Sequence, residues 1–198
     1  MKIIDQSWQW VKKPDKPLEL IEQAGRTCYK SEAKITPESA EAFVEKLLKR
    51  NHASVIEHAS ATVKFITNRG VTHELVRHRL ASYSQESTRY VKYDDVEFIR
   101  PVWWEKWDKL SQMAWLQSME TSEDDYKFLI KHGSRPQQAR EVLPNSLKTE
   151  IVVTANIREW RHIFKLRCSK AAHPQIRHLM LDCLEGFKKE IPVLFDDI

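Results

Sequence analysis

Glycine is scarce in this chain: four occur in 198 residues, standing alone at positions 25, 70, 133 and 186. That excludes a G-x-G-x-x-G turn and a P-loop, so the backbone amides of a glycine-rich loop cannot wrap a phosphate. Any phosphate must be gripped by side chains. Cysteine is scarcer still. Cys28, Cys168 and Cys183 are an odd set with no C-x-x-C pair, which argues against a disulfide framework and a cysteine-built zinc site. No stretch approaches the roughly 20 apolar residues of a membrane helix. The first ten residues carry Lys2 and Asp5 without an apolar h-region, so a signal peptide is not expected, and a cytoplasmic location without a membrane partner is. The formal charge of +4 permits a nucleic-acid partner without demanding one; no recognised nucleic-acid motif is present, and none is expected to bind.

With 41% apolar and 30% charged residues, the chain can bury one substantial core, and a single domain over residues 1–198 is expected. Residues 36–50 place Ala40, Phe43, Val44, Leu47 and Leu48 on one stripe of a helix, with Thr36 as N-cap and Pro37 at its first position. SATVKFIT, from Ser60, alternates as a half-buried strand does, with a turn expected at Asn68-Arg69-Gly70. Helical spacing returns from Val71 to about Arg79, and the hydroxyl-rich residues beyond predict a loop. VEFIRP reads as a short strand closed by Pro101. Residues 103–131 predict a long helical segment with Trp107, Leu110, Met113 or Ala114, Tyr126, Leu129 and Ile130 inward, ended by Gly133. Trp103, Trp104, Trp107 and Trp115 read as packing at helical spacing, with base stacking the alternative. Ser134 and Pro136 open a short helix through Val142. LKTEIVVTA predicts a strand, Asn156 the N-cap of a helix to about Arg167, and residues 173–191 a final helix burying Ile176, Leu179, Met180, Cys183, Leu184 and Phe187. Strands and helices without strict alternation give the α+β class, a mixed sheet with flanking helices.

HELVRH, residues 73–78, looks like a zinc-protease helix, but its histidines are five apart. That is about 140° around a helix at about 100° per residue, too far to share one tetrahedral ion, so no metal is expected. The densest chemistry lies in RHRLASYSQESTRY, residues 77–90, which holds three arginines, a histidine and four small hydroxyls. Guanidinium forks match phosphate and carboxylate. An arginine-rich run alone reads as a solvated face; Ser82, Ser84, Ser87 and Thr88 beside it tilt the reading to a binding site, and Arg77 and Arg79, about 200° apart if helical, fit two anionic ligands or one with two arms.

Arg77-His78-Arg79, seven residues, then Ser87 matches the R-H-R-x7-S signature of the flavin-dependent thymidylate synthases. HASVIEH, AREVLP and LRCSKAAHPQIR are similar to three further segments of that family, in the same order across residues 52–177. The resemblance implies a thymidylate synthase-complementing fold and reductive methylation of dUMP to dTMP. It also implies FAD as hydride carrier, NADPH as reductant, 5,10-methylenetetrahydrofolate as carbon donor, and a homotetramer with active sites at subunit interfaces. By position it assigns Ser54, Arg77, His78, Arg79, Gln85, Asn156, Ile157, Arg158 and His162 to flavin. Glu74, Leu75, Val76, Arg77, Gln85, Glu86, Ser87, Thr88, Arg89, Arg140 and Arg167 fall to dUMP. Arg167 resembles the residue that stabilises negative charge on the uracil edge, which by that likeness makes it the catalytic residue. Cys168 and Ser87 are not expected to be nucleophiles, since neither has an evident activating partner. A flavin enzyme adding another one-carbon group to a pyrimidine nucleotide, and a nucleic-acid-binding protein, are the alternatives.

Overall fold

The computed structural model describes all residues 1–198. In chain order the elements are β1 (Lys2–Ile4), β2 (Ser7–Lys12), α1 (Pro17–Cys28), α2 (Ser39–Lys49), β3 (Ser60–Asn68), α3 (Arg69–Leu75), β4 (Ala81–Gln85), β5 (Glu97–Ile99), α4 (Lys109–Lys131), α5 (Pro136–Ala139), β6 (Lys148–Asn156), α6 (Ile157–Arg167), α7 (Pro174–Glu190) and α8 (Pro192–Phe195). Strands β2, β3, β6 and β4 form a four-stranded sheet in that order, and β1 pairs in parallel with β5, Ile3 opposite Phe98. The class is α+β. No helix is long and apolar enough to cross a membrane.

The chain divides into two compact units. One comprises residues 1–8, 64–77 and 83–152. Its core gathers Val96, Phe98, Met119, Tyr126, Ala139 and Leu147. The hydroxyl of Ser122 on α4 donates to the carbonyl of Val142, and Lys148 sits among Glu86, Glu97 and Glu150. The other unit comprises residues 9–63, 78–82 and 153–198. Its core is aromatic: Trp160 stacks on Phe164 at 5.7 Å, and Phe187 lies 5.0 Å from both Phe164 and Phe195. Each such ring contributes roughly 1.5–3 kcal/mol on burial. Helices α1 and α2 pack closely at Gly25, where an added Cβ would stand 2.6 Å from the Phe43 ring. Glu22 clasps Arg26 and the Ser39 hydroxyl across the same contact.

Several elements differ from expectation. Helix α2 begins at Ser39, not at Thr36-Pro37; the Ser39 hydroxyl accepts from Thr36 N and the Ser39 amide donates to the Thr36 carbonyl, so those residues form the turn that leads in. Asn68-Arg69-Gly70 is not a turn. Asn68 Oδ1 accepts from Val71 N at 2.8 Å and starts α3 without a connecting loop. That helix stops at Leu75, four residues short of Arg79, and residues 81–85 are a strand rather than loop. Helix α4 starts at Lys109, capped by Asp108, and Leu110 and Met113 are exposed rather than inward. Trp104 instead meets Trp107 in a tilted contact at 6.2 Å and Trp115 in a T-shaped one at 5.6 Å. The strand 148–156, its Asn156 cap and the helix ending at Arg167 form as expected.

Candidate functional site

The two ligand sets suggested by the sequence fall largely in different units. In the first lie Glu74, Leu75, Val76, Arg77, Gln85, Glu86, Ser87, Thr88, Arg89 and Arg140; in the second, Ser54, His78, Arg79, Asn156, Ile157, Arg158, His162 and Arg167.

In the first unit, Arg140 Nη1 donates to Thr88 Oγ1 at 3.3 Å. Both face a cavity of about 330 Å³ that Arg69, His73 and Asn145 also line. Gln85 leaves β4 with its amide nitrogen donating to Thr72 Oγ1 at 3.0 Å and Thr149 Oγ1 at 3.2 Å. The Thr72 hydroxyl gives its hydrogen to the Arg69 carbonyl, so towards Gln85 it can only accept. That leaves the carbonyl Oε1 as the acceptor Gln85 can still offer. Glu86 accepts from the Tyr93 hydroxyl at 2.8 Å and from Lys148 at 3.3 Å. Burial, then the bond to Glu86, pushes the Tyr93 phenol up, so it stays protonated. Ser87 makes a tight turn, its hydroxyl accepting from Arg89 N and its carbonyl from Tyr90 N and Val91 N. Arg77 and Arg89 are exposed. Leu75 is not presented to a ligand: its side chain is in the core and its carbonyl accepts from the Tyr83 hydroxyl.

In the second unit, α6 carries the chemistry. Asn156 Oδ1 accepts from Glu159 N at 2.8 Å, leaving the amide NH₂ as what Asn156 can offer. The Ile157 side chain is fully buried and its amide donates to Ala59 O. Arg158 and His162, one turn apart on the exposed stripe, line a cavity of about 450 Å³ with Glu57, Leu80, Asn156 and Glu159. Arg158 pairs with Glu57 at 2.5 Å. Ser54 and Arg79 are exposed.

Beneath that stripe His78 is buried, and its Nε2 accepts from Arg167 Nε at 3.0 Å. Accepting there requires the lone pair on Nε2, so the neutral ring keeps its proton on Nδ1. That atom faces the buried Glu159 carboxylate at 3.7 Å. Burial, then the Arg167 charge, then His162 edge-on at 5.7 Å, bring His78 down to about 4. Burial pushes Glu159 up. Cys168, beside Arg167, is pushed up to about 11 by burial, which keeps it a thiol at neutral pH.

Sequence reasoning missed Arg69, His73 and Asn145 in one cavity and Glu57, Leu80 and Glu159 in the other. A signal for the first was present: Arg69 and His73 are four apart and share a helix face once Asn68 is read as a cap.

Residues 9–193 match the family described as thymidylate synthase complementing protein. A flavin-dependent thymidylate synthase of Mycobacteroides abscessus is 39% identical over 196 residues, spanning 90% of this chain and 78% of that protein. One from Geobacter sulfurreducens is 38% identical, spanning 93% and 82%. The structure of the UMP/dUMP methylase PolB from Streptomyces cacaoi, bound with 5-Br dUMP, aligns with a TM-score of 0.85 at 22% identity over 99% of this chain and 96% of that one, a likeness of fold.

Proposed function

Because this chain belongs to the thymidylate synthase complementing protein family, we propose that it methylates dUMP reductively to dTMP, with FAD bound, 5,10-methylenetetrahydrofolate as carbon donor and NADPH as reductant. The observation that carries the reading is Arg167 held through Nε by a neutral, buried His78. Uracil C5 is a poor nucleophile until negative charge spreading to O4 and N3 is stabilised. A guanidinium does this without losing its own proton. The His78 contact fixes the Arg167 plane in advance, so little reorganisation is needed as charge develops. The half-buried Cys168 thiol, held protonated, takes no part in this reading, so no covalent enzyme link to the pyrimidine is required.

Of the residues lining the α6 cavity, Arg158 and His162 supply donor edges, the Asn156 amide a neutral donor and Leu80 an apolar wall for a large anionic, aromatic cofactor, which would have to draw Arg158 from Glu57 and lie clear of the Glu159 carboxylate. These would hold FAD with Ser54, Arg77, His78 and Arg79, and the cofactor would supply the hydride that reduces the transferred carbon. Arg140, with Thr88, Ser87 and Arg89, would take the nucleotide phosphate, while Glu74 and Val76 flank it. Gln85 Oε1 would accept from the nucleotide or the flavin. Members of a homotetramer would complete each site at subunit contacts, in the cytoplasm.

The test is direct. Purified protein should carry flavin absorbance, oxidise NADPH faster with dUMP present, and release dTMP when the folate is added. Scattering should give about four times the 23.4 kDa chain mass. Protein that stays colourless after reconstitution with FAD and forms no dTMP would remove the proposal.

A further inference from the structure

The first turn of α6 has the sequence of a reciprocal cap but not its geometry. Asn156 Oδ1 accepts from the Glu159 amide at 2.8 Å, and a glutamate three residues after the cap ordinarily reaches back to the cap's own N–H. Glu159 does not. Its side chain turns inward, the residue is only 6% exposed, and a carboxylate oxygen comes to 3.7 Å from His78 Nδ1. The neighbouring cation on the helix is no alternative partner, because Arg158 is paired with Glu57. Drawing a carboxylate out of water for a contact longer than a hydrogen bond is costly. Such a cost is characteristic of groups kept for work at a site.

The order of the groups suggests the work. Arg167 Nε donates to His78 Nε2 at 3.0 Å, so Nε2 must be the bare nitrogen and Nδ1 the protonated one. An imidazole by itself can carry its proton on either nitrogen, and the choice is set by what the other side of the ring meets. A carboxyl oxygen opposite Nδ1, ionised or not, accepts from Nδ1–H and favours that tautomer. His162, edge-on at 5.7 Å between ring centres, bounds the same imidazole.

We propose that Glu159 is a positioning residue for the reaction: by keeping the His78 proton on Nδ1 it leaves Nε2 free to hold Arg167, and so presets the guanidinium. This rests on the reading that Arg167 stabilises negative charge on the uracil edge, and extends it to a residue that belongs to neither ligand set.

Histidine labelled with nitrogen-15 reports the tautomer without reference to activity. In the flavin-loaded parent the His78 signals, identified by their loss in His78→Gln, should show Nδ1 protonated and Nε2 bare. In Glu159→Ala the ring should become a mixture of tautomers. Its kcat for dTMP formation should fall about 10- to 100-fold, the range for losing the group behind a functional histidine, with flavin content and the KM for dUMP parent-like. Because the effect passes through Arg167, adding Glu159→Ala to Arg167→Ala should lower kcat no further. Glu159→Gln keeps the volume and a weaker acceptor oxygen; its kcat should lie between those of parent and alanine variant, and it gives the same non-additivity if the alanine variant does not fold. A parent ring protonated on Nε2, an unmoved tautomer in Glu159→Ala, weakened flavin binding at parent-like kcat, or additive losses in the double variant would each overturn the assignment. A tautomer change in a protein that makes no dTMP would keep Glu159 in its role and sink the methylation reading instead; dTMP formation with an unmoved tautomer would do the reverse.

Discussion

Two arginines, one in each unit, meet opposite conditions before any ligand arrives. Arg167 is held at Nε by the neutral His78 imidazole, whereas Arg69 has a buried nitrogen with nothing to donate to. The difference matters most for the first of them. A group acting on charge that exists only in the transition state must be in place beforehand, since reorganisation would add to the barrier. The Arg69 nitrogen, sealed from solvent, has no such preset partner in the ligand-free chain.

The largest expected effect breaks the preset side. Arg167→Ala should lower kcat for dTMP formation by about 100- to 1,000-fold, as loss of one transition-state donor does, measured by product formation at saturating dUMP; a variant equal to the parent would remove the activation role. Next comes the acid limb of stability. Folded His78 resists protonation down to about 4 whereas an unfolded histidine takes its proton at 6.5. The stabilisation is therefore present above pH 6.5 and lost as pH falls through this window, by on the order of 2–3 kcal/mol in all. His78→Gln should flatten that slope between pH 7 and 5 in urea unfolding. In the first unit, Arg140→Ala should weaken dUMP roughly 10- to 100-fold with a smaller change in kcat, separated by initial rates over a range of dUMP. The smallest effect sharpens the contrast: Glu57→Gln removes an exposed partner of Arg158 and should change unfolding free energy by less than about 1 kcal/mol.

Much of the second unit was legible in the sequence. Asn156 announces α6 because an asparagine before a helical stripe satisfies an orphan amide, and Trp160, Ile163 and Phe164 then repeat at helix spacing. The signature arginines and histidine were legible by resemblance, but not the contact between His78 and Arg167, which are 89 residues apart in the chain. The first unit was harder. Asn-Arg-Gly suits a turn as well as a cap, and only Val71 and Leu75 behind it decide for the cap. In residues 81–85, Ala81, Tyr83 and Gln85 face one way and Ser82 and Ser84 the other, a period of two masked by small hydroxyls. The α4 face with Leu110 and Met113 misled because a hydrophobic stripe says which side is apolar, not what covers it.

The two long strands, β3 and β6, each pass into a helix through a single asparagine, Asn68 and Asn156, with no residue between. Such junctions have no slack. Inserting even one residue at either would rotate the following helix by about 100° and carry Arg69 or Arg158 off its cavity wall. Tolerance to length variation should therefore concentrate elsewhere, in connecting segments such as residues 90–95, which lie outside the proposed nucleotide grip.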